Sequence, residues 1–347
     1  MNTETLSLTE IEELAFAALV AAGTSEANAR PLAIATAQTE ADGVASHGLA
    51  YIPIYVEHVQ CGKVDGRAVP VLDTPRPGMI TVDAATGFAH PAISLGFEAL
   101  IPMAKAQGIA ALAIRNSYNC GVLGLHTKRL AEAGLMALGF TNAPASIAPS
   151  GGRVPVVGTN PISVAAPDGK GGAAILIDQS ASVIAKSEIM KHSREGKPIP
   201  LGWGLDAEGK PTTDPDIALK GSMAPAGGYK GVGLSLIVEM MAAAMTGATL
   251  GKDASPFSGP AGGPPRTGQF FIAIDPGASS GGGSGASSGA SSGGGYAERI
   301  RDLVDAIHAQ NGARLPGDGR AAARRQSVQE GVAVNTATLE RVRALLD

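Results

Sequence analysis

Over the first sixty positions, apolar residues recur three and four apart. Ile11, Leu14, Ala15, Ala18 and Leu19 share one side of a helix. Ser7-Leu8-Thr9-Glu10, just ahead, has capping-box spacing, in which the hydroxyl accepts a free helix N–H and the carboxylate reaches back. Gly23 ends that helix and Thr24-Ser25 can cap the next, from Ser25 to about Asp42. The second helix carries few large apolar residues, so it needs a close-packed partner. It delivers the chain to Ser46-His47-Gly48, and a third helix spans about Leu49 to Gln60.

Beyond Gly62 the pattern shortens. Strands are predicted around Val69–Leu72 and Met79–Asp83, a helix over about Ala92–Gln107 and a buried strand at Ile109–Ile114. A helix near Leu125–Ala133 precedes a strand at Leu135–Thr141. Pro144 to Pro167, rich in Pro, Gly and Val, reads as loops and short strands. A buried strand is expected at Ala174–Asp178, a helix at Lys186–Glu195 and a last strand at Phe270–Ile274. Gly231–Thr246 is an apolar helix with so few polar residues that it belongs in a core or an interface. Gly277 to Gly295 is nearly pure Gly, Ser and Ala, which predicts a flexible linker spanning about 25 Å. Helices of about Tyr296–Gln310 and Asn335–Leu346 follow, and no tandem repeat is present.

Composition narrows the class. Hydrophobic residues make up 44% and charged residues 17% of 347 positions, enough for a substantial core and unlike a disordered chain. Aromatics are only 4%, so that core rests on Ala, Val, Leu and Ile. A net charge of -4 without a basic stripe gives no reason to expect a nucleic-acid partner. Arg314, Arg320, Arg324 and Arg325 cluster near the C-terminus, either as a solvated helix face or as an anion site. The two cysteines, Cys61 and Cys120, form no CxxC pair, so a Cys-based metal site is not expected. MNTETLSLTE lacks the basic and apolar parts of a signal peptide, and no apolar run reaches the ~18 residues of a membrane span. The expected location is the cytoplasm, with no membrane contact and with reduced thiols.

The common nucleotide fingerprints are missing. No GxGxxG follows a strand, no GxxxxGK[ST] occurs, and neither HExxH nor GxSxG is present. What remains is subtler. Ser46-His47 joins a group that titrates near neutral pH to a hydroxyl able to orient it, although such a pair also serves structural ends. Gly158-Thr159-Asn160-Pro161 is a tight turn whose side chains can bond a carboxylate or an amide. Gly227-Gly228-Tyr229-Lys230-Gly231 sets a lysine at a helix entrance, as an anion site or simply as an exposed turn.

Five segments in order, SHGLAYIPIYVEHVQCGKVDGRAVP, GGRVPVVGTNPISVAAP, GWGLDAEGKPTTDPDIAL, GGYKGVGLSLIVEMMAAAMTGA and RLPGD, closely resemble the malate/L-lactate dehydrogenase family. The likeness runs from about Leu6 to Leu345 except for the Gly/Ser tract. GKVDGRAVP and PPRTGQFFIAIDP lie nearest the cyclic ketimine reductases within it, those acting on piperideine- and pyrroline-2-carboxylate. The resemblance implies a non-Rossmann α/β fold with a mixed sheet and a helical domain formed by both chain ends. It implies a homodimer, a nicotinamide cofactor (NADPH favoured, or NADH) and hydride transfer to C2 of a small 2-imino or 2-oxo carboxylate. The alternative within the family is a 2-hydroxy-acid dehydrogenase of the malate, lactate or sulfolactate type. The corresponding division is 1–75, helical with the Ser-His motif; 76–276, the cofactor- and substrate-binding core; 277–295, linker; and 296–347, an arm that packs with the N-terminal part.

The same resemblance assigns roles. Ser46 and His47 match the catalytic pair, with His47 the proton donor, and Glu188 matches an acidic residue completing a relay with them. Asn160 matches a substrate-contacting position. Thr159, Asp178, Gln179, Ser180, Tyr229 and Lys230 match cofactor-contacting ones. So do the nicotinamide loop, Asn119, Cys120, Gly121, Val122 and Leu123, and the C-terminal segment Arg314, Leu315, Pro316, Gly317 and Asp318. The arginines there could meet a 2′-phosphate. Two departures stand out. Tyr51 occupies the place of an arginine that clamps the substrate carboxylate, which leaves Lys186 or Arg153 to supply the charge. Asn119-Cys120-Gly121 replaces His-Phe-Gly, which throws the proton chemistry onto His47.

Overall fold

The capping box forms as its spacing predicts: Ser7 Oγ accepts the Glu10 N–H, and the Glu10 carboxylate accepts the Ser7 N–H at 2.8 Å. The computed structural model describes residues 2–279 and 295–346. Strand β1 (Thr3–Leu6) leads into α1 (Leu8–Ala21) and α2 (Glu26–Ala41). The partner that α2 needs is α1, and small side chains (Ala29, Ala33 and Ala37 against Ile11, Ala15 and Leu19) let the two approach closely. After α2 come two short 3-10 turns, Ala45–His47 and Leu49–Tyr51, and then α3 (Ile52–Gln60) with Pro53 in its first turn. The expected single helix from Leu49 therefore begins as a 3-10 turn.

The central sheet holds seven strands in the order β2-β3-β4-β11-β5-β6-β7. β2 (Val71–Arg76) and β3 (Met79–Asp83) form a hairpin. α4 (Ala89–Gln107) crosses to β4 (Ile109–Ser117), which lies parallel to β3; every other pairing in the sheet is antiparallel. α5 (Leu123–Glu132), β5 (Met136–Thr141), β6 (Ile162–Pro167) and β7 (Ala173–Gln179) complete that part of the chain. α4 starts three residues earlier than the sequence pattern indicates, with Pro91 tolerated in its first turn.

A smaller unit follows. α6 (Lys186–Arg194), β8 (Gly204–Leu205), β9 (Pro211–Thr212), α7 (Pro215–Lys220) and β10 (Ser222–Met223) surround Ile189, Ile199, Ala218 and Met223. α8 (Tyr229–Glu239) runs on as a π-turn, Met240–Ala244, so the predicted apolar helix is not α-helical throughout. It lays Val238 and Ala242 on one face of the sheet, against Phe140 and Phe270, while α4 and α5 cover the other face around Leu112 and Phe271. β11 (Thr267–Ile274) serves both layers because neighbouring residues on a strand point to opposite faces.

Of the Gly/Ser/Ala tract, Gly277–Ser279 belong to a short turn, α9 (Pro276–Ser279), and Gly295 caps α10 (Tyr296–His308). The rest of the predicted linker, 280–294, lies outside the described residues. α11 (Asp318–Glu330), β12 (Val332–Asn335) and α12 (Thr336–Arg343) follow. β12 pairs antiparallel with β1, and Leu339 and Val342 of α12 enter the core built by α1, α2 and α3. Both chain ends thus build one helical body beside the mixed sheet.

Candidate active site

Ser46 and His47 sit on the 3-10 turn that follows α2, with Ser46 exposed and His47 half-buried. Ser46 Oγ lies 3.0 Å from His47 Nδ1. When the imidazole is protonated, its Nδ1–H donates to Ser46 and Nε2–H remains free to give up a proton. The Tyr51 ring lies parallel to the imidazole, 3° between planes and 5.9 Å between centroids. Behind it, Tyr55, Phe88 and Tyr118 pack edge to face. Burial raises the Tyr51 pKa, so its hydroxyl stays neutral. That hydroxyl accepts the Asn119 side-chain N–H at 3.3 Å, and Asn119 Oδ1 accepts the Gly121 N–H at 2.6 Å. The two departures from the family pattern therefore touch, linking the Ser-His turn to the expected nicotinamide loop.

Asp178, at the end of β7, pairs with Arg320 from the first turn of α11 at 2.7 Å. Gly124 leaves room for the pair; a Cβ there would come within 2.8 Å of Asp178 Oδ2 and 3.0 Å of Arg320 Nη1. Burial lowers the His47 pKa, Asp178 opposes that shift, and Arg320 adds to it. From Asp178 the chain runs through Gln179 and Ser180 to Ala181, whose N–H donates to the Thr159 carbonyl at 2.7 Å and whose carbonyl accepts the Ala226 N–H at 2.8 Å. These bonds gather Thr159, Gln179, Ser180 and the entrance of α8 along one line. Tyr229 and Lys230 are exposed there. A Cβ on Gly228 or Gly233 would meet nothing within 4 Å, so the backbone at that entrance is open.

Val122 and Leu123 are buried at the start of α5. Cys120 is buried too, and burial pushes its thiol up to about 12, so it is an inert hydrophobe; its carbonyl accepts His126 Nε2–H at 2.9 Å. In the C-terminal segment Arg314 and Pro316 are exposed and Leu315 is buried, while Gly317 packs against Leu176. Asp318 accepts the Leu315 N–H at 2.7 Å and bonds His308, which holds its carboxyl below the usual range; its role in the fold is to shape the turn into α11.

Four further residues offered by the sequence are placed as follows. The Asn160 side chain is fully buried: its amide donates to the Ser235 carbonyl at 2.9 Å and the Glu239 carboxylate at 2.8 Å, and its oxygen accepts the Ala143 N–H. It therefore holds the Thr159 turn to α8 and has no free polar atom to offer a substrate. The Glu188 carboxylate makes no hydrogen bond or ion pair among the described residues, so no relay to Ser46 and His47 forms within one chain. Lys186 opens α6; surrounding protein lowers its pKa, yet its side chain reaches solvent. Arg153 lies exposed beside Gly209. Reasoning from the sequence missed Gly124 and the pairing of Arg320 with Asp178. The only available signal was the arginine cluster, and it did not identify a partner.

The residues present fit a nicotinamide cofactor. Exposed Gln179, Tyr229 and Lys230 and the open backbone at Gly228 offer hydrogen bonds to a dinucleotide, and Gly124 replaces a side chain beside Asp178 and Arg320.

Sequence and structure comparisons define the family. Residues 6–343 match the model of the malate/L-lactate dehydrogenase family. A (2R)-3-sulfolactate dehydrogenase (NADP(+)) of Chromohalobacter salexigens is 42% identical over 98% of this chain and 97% of its own length. A Δ1-pyrroline-2-carboxylate/Δ1-piperideine-2-carboxylate reductase of Pseudomonas putida is 38% identical over 97% of this chain and 96% of its own. The crystal structure of Δ1-piperideine-2-carboxylate reductase from Pseudomonas syringae pv. tomato superposes with a TM-score of 0.90 at 37% identity, covering 99% of this chain and 100% of that one. The chain belongs to the malate/L-lactate dehydrogenase family and is an oxidoreductase.

Proposed function

We propose that this protein is an NADPH-favouring reductase of cyclic 2-imino carboxylates, of the piperideine- and pyrroline-2-carboxylate kind. The observation that carries this reading is the Ser46–His47 pair, stacked on Tyr51 and set beside Asp178 and Arg320. A bound nicotinamide supplies the hydride for C2. The protein's own task is to deliver a proton to the neighbouring heteroatom and to hold the carboxylate. His47 gives the proton from Nε2 while Ser46 fixes the ring through Nδ1. A lowered pKa leaves little protonated His47 at neutral pH. An imine nitrogen, far more basic than a carbonyl oxygen, asks less of such a donor.

Lys186 is assigned to the substrate carboxylate, because its ammonium is crowded by protein yet reachable from solvent. Tyr51 presents a neutral wall, its hydroxyl already bonded to Asn119. Glu188 keeps its place through the sequence motif alone. For the 2′-phosphate, Arg320 and Arg324 are committed to Asp178 and Asp42, while Arg314 and Arg325 form no ion pair among the described residues. Arg325, with Lys128 and Arg324, lines a groove of about 380 Å³ beside α11. Leu236, Ile237, Met240 and Met245 leave an apolar stripe exposed along α8 and its π-turn, which supports a homodimer built on that face. The pairing of β1 with β12 supports treating 1–75 and 296–347 as one functional body and 76–276 as the other. No helix of the described residues is long and apolar enough to cross a membrane, and we place the protein in the cytoplasm.

The second reading, a 2-hydroxy-acid dehydrogenase, is favoured by the 42% identical sulfolactate relative. Cofactor oxidation decides between them. NADPH and NADH are offered with piperideine-2-carboxylate, pyrroline-2-carboxylate, pyruvate with and without methylamine, oxaloacetate and sulfopyruvate. Turnover of the imines with NADPH is expected. Turnover confined to the free oxo acids would establish the second reading instead.

A further inference from the structure

Glu40 is 5% exposed on the last turn of α2, and its carboxylate forms no ion pair among the described residues. Burial raises its pKa, the signature of a charge held where water cannot serve it. The neighbouring acid, Asp42, has Arg324 as a partner at 2.6 Å; among the described residues Glu40 has only a backbone amide. That amide belongs to Leu49, the first residue of the turn carrying Tyr51, and Glu40 Oε1 accepts its N–H at 2.7 Å. Gly48 separates this turn from the one carrying Ser46 and His47. A Cβ on Gly48 would lie 2.1 Å from Glu40 Oε1 and 2.4 Å from its carboxyl carbon, so the carboxylate rests directly on the glycine. An acid with no charged partner thus fills the joint between the two turns whose ends stack His47 on Tyr51.

We propose that Glu40 is a positioning residue: its carboxylate, wedged against Gly48 and bonded to the Leu49 N–H, sets the angle at which His47 and Tyr51 leave the loop. It thereby governs proton delivery and leaves cofactor capture alone. The inference rests on the reading of His47 as the proton donor. The effect is argued from contact geometry, the carboxylate resting on Gly48 and bonding the Leu49 N–H.

The test uses the full chain with Glu40→Ala, Glu40→Gln and Gly48→Ala. In Glu40→Ala, kcat falls by about a hundredfold, as for a displaced catalytic group, while cofactor affinity by nicotinamide fluorescence stays within about twofold. Glu40→Gln still offers an oxygen to the Leu49 N–H and regains kcat to within about threefold, with an unshifted pH profile. Gly48→Ala keeps the acid but displaces it, so it reproduces the kcat loss, and adding Glu40→Ala costs little more. It also answers the question if Glu40→Ala fails to fold. Wild-type kcat in Glu40→Ala, or an equal loss in Glu40→Gln, overturns the proposal. If the wild type reduces none of the imines or oxo acids, the functional reading fails separately. The imidazole NMR signals of His47 then decide: they move in Glu40→Ala and not in Glu40→Gln if Glu40 positions the ring, and the proposal falls if they stay fixed in both.

Discussion

At the scale of single residues, the proposed chemistry, with His47 as proton donor, depends on how His47 is charged. Burial holds its pKa below the usual 6.5, Asp178 pulls it up and Arg320 pushes it down. The donor must start protonated, so kcat/KM for reduction falls as pH rises through the lowered value. Arg320→Gln removes the cation and frees Asp178 to favour the charged ring, so the falling limb moves to higher pH. A pH series on both proteins checks this, and an unmoved or acid-shifted limb rules out the electrostatic role of Arg320. His47→Ala loses about a hundredfold or more in turnover while cofactor affinity holds, by kinetics and fluorescence titration. The Ser-His pair could be read from the sequence because it is local. Tyr51 and Asn119 were each visible as departures, but their contact spans 68 positions and no local pattern encodes it. Asn160 misled for a related reason: an amide in a glycine turn looks available until α8 folds over it and takes its donors.

Among the elements, legibility followed apolar content. α1 announced itself by its stripe and cap; at α2 Ser25 holds the N-cap position, but its hydroxyl caps no helix N–H and points to the Gly66 carbonyl. α11 was missed because DGRAAARRQSVQE has no apolar face; it has no buried residue and is anchored by polar bonds. Arg320 bonds Asp178, Arg324 bonds Asp42 and the Gln38 carbonyl, and Ser327 bonds the Ala41 carbonyl. Periodicity cannot see an element held this way. The segment before β11 depends on polar anchoring too. Lys63, 1% exposed, donates to the carbonyls of Pro256, Gly259 and Ala261, and Phe257 packs on Tyr118 behind the site. Lys63→Met strands the Pro256 and Ala261 carbonyls and leaves that of Gly259 with His58 Nε2–H alone, so urea denaturation should show a loss of about 2–4 kcal/mol. A loss under about 0.5 kcal/mol would mean that water replaces the ammonium at little cost.

For the molecule as a whole, the sheet order was beyond sequence reasoning. Seven strands were expected in part, but nothing local says that β11 enters between β4 and β5, or that β3 and β4 alone run parallel. The apolar segment beginning at Gly231 was expected in a core or an interface, and one side of it lies in the core while the other is exposed. Val238 and Ala242 face the sheet; Leu236, Ile237 and Met240 face outward. Replacing Ile237 and Met240 together with aspartate should shift the protein toward monomer in sedimentation velocity while its circular dichroism is retained. An unchanged sedimentation coefficient places the interface elsewhere.

The clamp of α11 on α2 bears on how the enzyme comes into being. Arg324 reaches the Gln38 carbonyl across 286 positions. Synthesis runs from the N-terminus, so Ser46 and His47 are made long before Arg324 and Ser327, whose polar bonds fasten the end of α2. A nascent chain stalled before Asp318 therefore carries the Ser-His turn without the brace that α11 lends to the end of α2.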